Sequence, residues 1–284
     1  MLEQYCQFVD IDGGKICVKV DGESEKVIVL LHGAFLVVSP ILELKPLVVL
    51  LKNDFTVVTI EYFGYGLSDK TEKERTIESI TSEIHEVLHK LGLNKYYFLA
   101  HSLSGVYCLY YMNKYPNEVE GFIGIDTSVP RQNEVINTGK VNLNIAYLLR
   151  LLNRIGVFRL FFKLLPKSLV NDVRGYEYSK EELEELCRLY CINIANRTVI
   201  NELTNCAENF QKALGMKYPK SIPVLFFLAN RTSKQIKQWY DLHSDLLENK
   251  ENSKIVTLDG FHALYRQHSK EIVEIFQDFK INVG

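Results

Sequence analysis

The sequence predicts an α/β protein with a mainly parallel, twisted central sheet, helices on both faces and a helical insertion. Three observations predict it. Continuous apolar runs recur along the 284 residues, as strands buried on both faces require. Helical patterns lie between these runs, and strands that alternate with helices favour a parallel sheet. The segment 131–205 interrupts this alternation with helical patterns and no convincing buried strand.

The first pattern is a hairpin over residues 5–20, which turns at Asp12-Gly13-Gly14. Buried strands and helices then follow in turn. The predicted strands are 27–31, 55–60, 97–99, 121–125, 224–228 and 254–258. The predicted helices of the alternating part are 77–91, 104–114 and 270–280.

The insertion has helical patterns over 142–154, 158–165 and 179–195. Ser179 and Glu182 form a capping box at the start of the last one. The Leu and Phe residues of this segment fit either a membrane-surface helix or a lid that packs over the core. We favour the lid, because an all-helical insertion needs an apolar face in any case. The prediction is therefore a core of residues 1–130 and 206–284 with a lid of 131–205.

Composition limits the classes of function. The chain is 47% hydrophobic and 24% charged, which is typical of a soluble globular protein. A net charge of -2 gives no electrostatic case for a nucleic-acid partner or an anionic membrane. Polar residues and prolines interrupt the Val- and Leu-rich stretch 27–51, so it does not fit a membrane span. We expect a small-molecule substrate, no nucleic acid and no stable membrane anchoring.

The six cysteines are scattered without a C-x-x-C pair, which favours reduced thiols and a cytoplasmic location. None of the seven histidines has the spacing of a zinc motif. The N-terminus is acidic and lacks the apolar core of a signal peptide. We therefore expect neither a metal nor a cofactor.

The most informative motif is the hexapeptide at 100–105, Ala-His-Ser-Leu-Ser-Gly, between an apolar strand and an apolar helix. A sharp strand-to-helix turn that exposes a serine is a nucleophile elbow, usually written G-x-S-x-G. Ala100 and Ser104 replace both glycines but are small enough for the close approach of strand and helix. Taken alone, Ser102 also fits a helix N-cap.

Three further segments end predicted strands and would lie at the same edge of the sheet as Ser102. The first is Leu-Leu-His-Gly-Ala-Phe at 30–35, whose glycine turn directs backbone N–H groups over that edge. A glycine-rich loop at 61–69 follows the next strand. His262 follows the last strand and can reach across the sheet to the serine.

These four segments, in this order, resemble the α/β-hydrolase superfamily in its single-lid form, related to small carboxylesterases and proline iminopeptidase-like enzymes. The resemblance covers nearly all of the chain outside the insertion. It implies that Ser102 is the nucleophile and His262 the general base. It also implies an oxyanion hole formed by the backbone N–H groups of Leu103 and Ala34, with Phe35 as the alternative to Ala34.

The acid of the triad departs from the family pattern. The usual position follows the strand at 224–228 as G-x-x-D, but this chain reads Ala-Asn-Arg-Thr, so Thr232 stands where the Asp is expected. Asp126 ends the strand 121–125, where some superfamily members place the acid. Two alternatives stay open: Asp126 forms a loop turn, or Asp241, the next carboxylate, is the acid. We predict Asp126.

The resulting prediction is a serine hydrolase that cleaves an ester, with an amide as second choice, through an acyl-enzyme. A ligand-binding or signalling protein with slow turnover is the alternative, and a different reaction on the same scaffold is the third. The predicted substrate pocket contains His101, Tyr147, Phe158 and Phe162, whose rings favour an apolar group. The sequence names neither the substrate nor the oligomeric state.

Overall fold

The computed structural model describes residues 6–136, 138–164 and 173–283. The described chain folds around one eight-stranded sheet in the order β1-β2-β4-β3-β5-β6-β7-β8. The first strand pair and β2 with β4 are antiparallel, and all later neighbours are parallel. The strands are β1 Gln7–Ile11, β2 Gly14–Asp21, β3 Val27–Leu31, β4 Thr56–Ile60, β5 Tyr96–His101, β6 Val119–Ile125, β7 Val224–Ala229 and β8 Ser253–Leu258.

The described residues form twelve helices. They are α1 Pro40–Glu43, α2 Lys45–Leu51, α3 Ile77–Lys90, α4 Ser104–Lys114, α5 Gln132–Val135, α6 Thr138–Arg154, α7 Val157–Leu164, α8 Lys180–Asn193, α9 Arg197–Lys212, α10 Asn230–Gln235, α11 Trp239–Ser244 and α12 Tyr265–Val283. This is the predicted fold class, a mainly parallel sheet with helices on both faces.

The sheet is covered on both faces because its strands alternate their side chains between two apolar clusters. In β3, Val29 and Leu31 join the cluster that contains α3 and α4, whereas Ile28 and Leu30 join the cluster that contains α2 and α12. All five side chains of β3 are buried. Burial on both faces explains why this strand is a continuous apolar run rather than an alternating one.

The predicted strands begin and end within two residues of the observed ones, and helix 104–114 coincides with α4. The predicted helix 270–280 is longer in the structure because α12 starts at Tyr265, directly after the His262 loop. Two predicted ends, Tyr5 and Leu165, lie outside the described residues.

The segment between β6 and β7 contains α5 to α9 and no strand within its described part. The predicted capping box starts α8, since the Ser179 side chain accepts from the backbone of Glu182 and the Glu182 side chain accepts from the backbone of Ser179. Helix α9 runs across the predicted boundary between residues 205 and 206. It packs on the core, where Asn209 accepts from the N–H of Ile77 and donates to the carbonyl of Arg75.

Candidate active site

Ser102 lies in the turn from β5 to α4 with a backbone φ of 56°. A non-glycine residue rarely adopts this left-handed conformation, and here the turn places the serine hydroxyl at the carboxyl edge of the sheet. The carbonyl of Ser102 accepts from the N–H of Ser128, which ties the elbow to the loop after β6. Burial of Ala100 and Ser104 agrees with the need for small residues at both positions.

Two glycines explain how closely the elbow packs. A Cβ on Gly33 would lie 2.9 Å from both the His101 ring and the Ser102 Cβ. A Cβ on Gly105 would lie 2.4 Å from the Thr127 Cβ. The loop after β3 and the loop after β6 therefore both approach the elbow at positions that hold only a glycine. Gly33 was part of the predicted turn, whereas the contact at Gly105 was not predicted.

The structure brings Ser102, His262 and Asp126 together in a chain of hydrogen bonds. The Ser102 Oγ lies 2.8 Å from the Nε2 of His262. The His262 Nδ1 lies 2.7 Å from the Asp126 Oδ2. The carboxylate accepts, so Nδ1 carries the proton in this arrangement and Nε2 is free to accept from the serine hydroxyl. The His262 side chain is 48% exposed, and that of Asp126 is fully buried.

Asp126 follows β6 with a φ of 43° and receives four hydrogen bonds. Its Oδ1 accepts from the N–H of Ala229 and the indole N–H of Trp239, each at 2.9 Å. Its Oδ2 accepts from His262 and, at 2.6 Å, from the Thr232 hydroxyl. Burial alone would raise the pKa of Asp126. The hydrogen bond and the charge of His262, together with the hydrogen bonds from Thr232 and Ala229, have the larger effect and hold the pKa below its ordinary value.

Asp241, the other candidate for the acid of the triad, does not contact His262. Asp241 is exposed on α11 and makes none of the contacts to His262. Asn230 begins α10 and donates to Asp259, a residue of the loop that carries His262. Thr232 lies on the same short helix and contacts the buried carboxylate directly. Of the predicted acids, only Asp126 therefore lies beside the imidazole.

The backbone amides near Ser102 differ in their partners. The N–H of Phe35 donates to the Tyr65 hydroxyl at 3.1 Å, and that hydroxyl donates to Glu202. Within the described chain, the N–H groups of Leu103 and Ala34 have no hydrogen-bond acceptor. The geometry therefore favours Leu103 and Ala34 over Phe35 as donors to a bound oxyanion.

His101 was predicted to line the pocket, but the structure buries it beneath the His262 loop. Its ring nitrogen Nε2 lies 3.2 Å from the carbonyl of His262, and its ring packs against the rings of His262 and Tyr265. Burial lowers the pKa of His101 to about 3, so the ring is neutral and donates from Nε2. His101 therefore contacts the loop that carries His262, and its place in a substrate pocket stays a prediction.

A cavity of about 420 Å³ lies beside the site, between α7, α8 and the loops after β3 and β8. Phe158, Phe161 and Phe162 line it, whereas Tyr147 does not and is 54% exposed. Tyr147 thus lies on the outer face of α6. The cavity lining contains neither Ser102 nor His262, but Leu36 and Tyr265 connect it to the loops that carry Phe35 and His262. The remaining lining residues are Val38, Glu43, Tyr178, Leu186, Tyr190 and Arg266.

Sequence reasoning missed part of the support of Asp126. Trp239 donates to the carboxylate, and His243 packs edge-on against Trp239 and Phe226. His243 lies in a polar stretch of the sequence, but its side chain is fully buried. The one usable signal was that Trp239 is the single tryptophan of the chain, seven residues after Thr232.

Neither a metal cluster nor a membrane-spanning helix occurs among the described residues. No group of three or more His, Cys, Asp or Glu side chains in that part is arranged to hold a metal ion. No helix among the described residues is long and apolar enough to cross a membrane.

Comparison with known proteins agrees with this geometry. A family model described as alpha/beta hydrolase fold matches residues 26–265. A curated relative, the uncharacterized protein YbdG of Bacillus subtilis (strain 168), is 26% identical over 279 residues, which is 95% of this chain and 84% of YbdG.

Two solved structures share the fold at low sequence identity. ALR0039 of Nostoc sp PCC 7120, provisionally assigned as an alpha/beta hydrolase, has a TM-score of 0.77 at 16% identity, covering 96% of this chain and 97% of its own. A Pseudomonas aeruginosa protein provisionally assigned as an epoxide hydrolase has a TM-score of 0.76 at 15% identity, covering 98% and 95%. At these identities the likeness concerns the fold alone.

Proposed function

Because this chain belongs to the alpha/beta hydrolase fold family, we propose that it is a serine hydrolase that cleaves a carboxylic ester through an acyl-enzyme. An amide is the second choice of substrate. We place the chain with the single-lid carboxylesterases and proline iminopeptidase-like enzymes, since helices α5 to α9 stand as one insertion between β6 and β7. The residues 131–205 are then the lid, and the cytoplasmic location also stays a prediction.

One observation carries the proposal: the Ser102 hydroxyl, the His262 imidazole and the Asp126 carboxylate lie within hydrogen-bond distance in series. A serine hydroxyl is a weak nucleophile until a base takes its proton. His262 accepts that proton at Nε2 as Ser102 Oγ attacks the ester carbonyl, and Asp126 stabilises the imidazolium that forms. The imidazolium then donates the proton to the leaving alcohol.

The second half of the reaction uses the same groups. His262 takes a proton from water as the water oxygen attacks the acyl carbonyl. The bond from the acyl carbon to Ser102 Oγ then breaks, the imidazolium returns the proton to Oγ, and the carboxylic acid leaves. In both tetrahedral intermediates the oxyanion lies at the N–H groups of Leu103 and Ala34. Those amides have no other acceptor in the described chain. Donors held in place by the backbone stabilise the developing charge without reorganisation, and one such donor contributes on the order of 100-fold or more in rate.

The identity of the nucleophile separates ester cleavage from epoxide opening, the reaction named for one structural relative. Attack of a serine oxygen on an epoxide carbon would give an alkyl ether, and water does not hydrolyse an ether under mild conditions. Attack on an ester carbonyl gives an acyl ester, which the same base hydrolyses. Ser102 therefore favours acyl transfer, even though the fold also serves other chemistries.

The alternative, a ligand-binding or signalling protein with slow turnover, was motivated by the altered elbow and the displaced acid. In the folded chain, both of these features give the alternative less support. Ala100 and Ser104 fit the buried positions of the elbow, and Asp126 bonds His262 from the neighbouring strand end. The hydrolase therefore has the stronger support.

The proposal is tested with p-nitrophenyl esters of short, medium and long acyl chains, beside an aryl epoxide as a competing substrate. We expect turnover of at least one ester that is lost in the Ser102→Ala variant, with no diol formed from the epoxide. Hydrolysis of the epoxide, or ester turnover that persists in Ser102→Ala, would overturn the assignment. Saturable ester binding without turnover would support the ligand-binding alternative instead.

A further inference from the structure

Helices α6 and α7 expose an apolar surface that the proposed chemistry does not use. More than half of the exposed large hydrophobic side chains in the described chain lie between residues 135 and 164. Leu148 and Leu151 of α6 are 55% and 57% exposed, and Ile155, which directly follows α6, is 66% exposed. Their spacing of three and four residues places them in one stripe along the helix. A soluble monomer rarely leaves such a contiguous apolar stripe in water without a partner.

Helix α7, which follows the turn at Gly156, also exposes apolar side chains. Leu160 and Leu164 are 58% and 69% exposed and lie one turn apart. The other side of α7 directs Phe158 and Phe162 into the cavity. Helix α7 is therefore apolar on two sides, of which only one serves the cavity. We call the five exposed residues, Leu148, Leu151, Ile155, Leu160 and Leu164, the α6–α7 surface.

The charge of these helices is as unusual as their apolar exposure. Residues 138–164 contain five basic residues and no Asp or Glu, although the whole chain has a net charge of -2. The side chains of Arg150, Arg154, Arg159 and Lys163, on the same two helices as the α6–α7 surface, are exposed. None of these four forms an ion pair with a described residue. The whole chain is thus close to neutral, whereas the segment 138–164 is locally cationic.

We propose that the α6–α7 surface is a docking site for an anionic lipid bilayer. A helix that carries exposed Leu and Ile on one face and Lys or Arg beside them binds in the plane of a membrane interface. Cations near an anionic leaflet add attraction, and each contributes about a tenfold factor or less in affinity. The binding is reversible and peripheral, which is compatible with the expectation of no stable anchoring.

A second copy of this chain fits the surface less well. A two-fold symmetric interface pairs a patch with itself, so these exposed cations would face the same cations of the partner. An anionic bilayer instead neutralises them while the leucines enter the acyl boundary. Charge complementarity therefore selects the bilayer as the occupant. The inference goes beyond the proposed esterase, because binding requires neither Ser102 nor a substrate.

The test is co-sedimentation of the full chain with phosphatidylcholine vesicles that contain about one third phosphatidylglycerol. We expect strong binding to these vesicles, weak binding to pure phosphatidylcholine, and release when NaCl rises from about 0.1 M to about 0.5 M. The Ser102→Ala variant binds equally, which separates this result from the fate of the hydrolase proposal.

Two sets of substitutions test whether the α6–α7 surface and the cations on the same two helices are the part of the chain that binds vesicles. Replacing Arg150, Arg154, Arg159 and Lys163 by Gln should weaken vesicle binding at least about 100-fold. The matched control replaces four exposed lysines elsewhere, Lys52, Lys95, Lys220 and Lys237, by Gln, and it should bind like the wild type. Replacing Leu148, Leu151 and Ile155 by Gln should weaken binding at least about tenfold, with the far-UV circular dichroism spectrum unchanged.

Several results would overturn the proposal. They are the absence of vesicle binding, equal binding to neutral and anionic vesicles, and equal loss in the two sets of four charge substitutions. The surface would instead bind a second copy of the chain if the protein does not bind vesicles but forms a dimer, and if substitution of Leu148, Leu151 and Ile155 dissociates that dimer.

Discussion

The Thr232 hydroxyl donates a 2.6 Å hydrogen bond to the Oδ2 of Asp126, the same oxygen that accepts from His262. Thr232 occupies the position after β7 where the resemblance to the hydrolase superfamily places the acid, and Asp126 directly follows the adjacent strand β6. In the proposed triad the carboxylate therefore lies one strand away from that position, and the Thr232 hydroxyl donates to it. Under this proposal, Asp126 supplies the carboxylate that the sequence lacks at position 232.

Removing the charge at Asp126 should disable the base. Asp126→Asn should lower kcat by roughly 100-fold to 10,000-fold, because the imidazole loses its anionic partner and its preferred tautomer. Thr232→Ala should keep kcat within a few-fold of the wild type and lower the free energy of unfolding by about 1–2 kcal/mol, since one bond to a buried carboxylate is lost. Asp241→Asn, on the exposed face of α11, is the matched control and should be neutral. Steady-state kinetics that put the loss in Asp241→Asn instead would assign the acid to Asp241.

A carboxylate at position 232, after the neighbouring strand β7, should also be able to act as the acid of the triad. Thr232→Asp in the Asp126→Asn background places a carboxylate where a hydroxyl already contacts position 126. We expect the double variant to recover at least about tenfold in kcat over Asp126→Asn, because the imidazolium regains a charge partner. Recovery is measured with the best ester of the panel. A double variant that is no more active than Asp126→Asn would mean that the two strand ends are not interchangeable.

Much of this arrangement follows from the sequence, and the remainder depends on contacts between distant segments. Continuous apolar runs locate the buried strands, and Ser102 and His262 are identified by their places after β5 and β8. Asp126 follows by elimination, since Thr232 is neutral. The support from Trp239 cannot be read in the same way, because α11 meets the end of β6 only after the sheet has formed. The burial of His243 has the same origin, since Phe226 and the Thr127 carbonyl come from other elements.

The insertion shows a second limit. Apolar periodicity predicts its helices, but it does not state which apolar face turns inward. Phe158 and Phe162 line the cavity, whereas Tyr147 is 54% exposed and does not line it. Similarly, His101 is next to the nucleophile in sequence, but the turn at Ser102 sends its side chain under the His262 loop.

Substitutions in α6 and α7 should distinguish the cavity from the outer face. Phe162→Ala enlarges the cavity, so it should shift the preference among acyl lengths while changing the rate on a short ester much less. Tyr147→Ala, at a position that does not line the cavity, should leave the acyl-length profile unchanged. The check is kcat/KM across the ester series for both variants. Parallel changes on every ester in Phe162→Ala would argue that this wall does not contact the acyl group.

Glu61 should make the stability of the protein depend on pH. Burial raises the pKa of Glu61 to about 7, although it accepts from the N–H groups of Leu67 and Ile41. Between the ordinary carboxyl value of 4.5 and about 7, the folded chain keeps a proton that the unfolded chain releases. Raising the pH through this window therefore lowers the free energy of unfolding, by at most about 1.4 kcal/mol per pH unit from this group.

The Glu61→Gln variant should lose that slope, whatever its absolute stability. Urea unfolding at intervals from pH 4.5 to pH 7 measures it for both proteins. If the two proteins show the same dependence on pH in this window, Glu61 does not keep its proton in the folded state.

The central claim, that Ser102 is a nucleophile activated by His262, is tested most directly by labelling with a fluorophosphonate and locating the adduct by peptide mass spectrometry. We predict one adduct on the peptide that contains Ser102 in the wild type, none in Ser102→Ala, and strongly slowed labelling in His262→Ala. Combining both substitutions should cost no more activity than either alone, since members of a triad act as one unit. An adduct that forms at normal rate in Ser102→Ala, or that maps to another residue, would contradict the account.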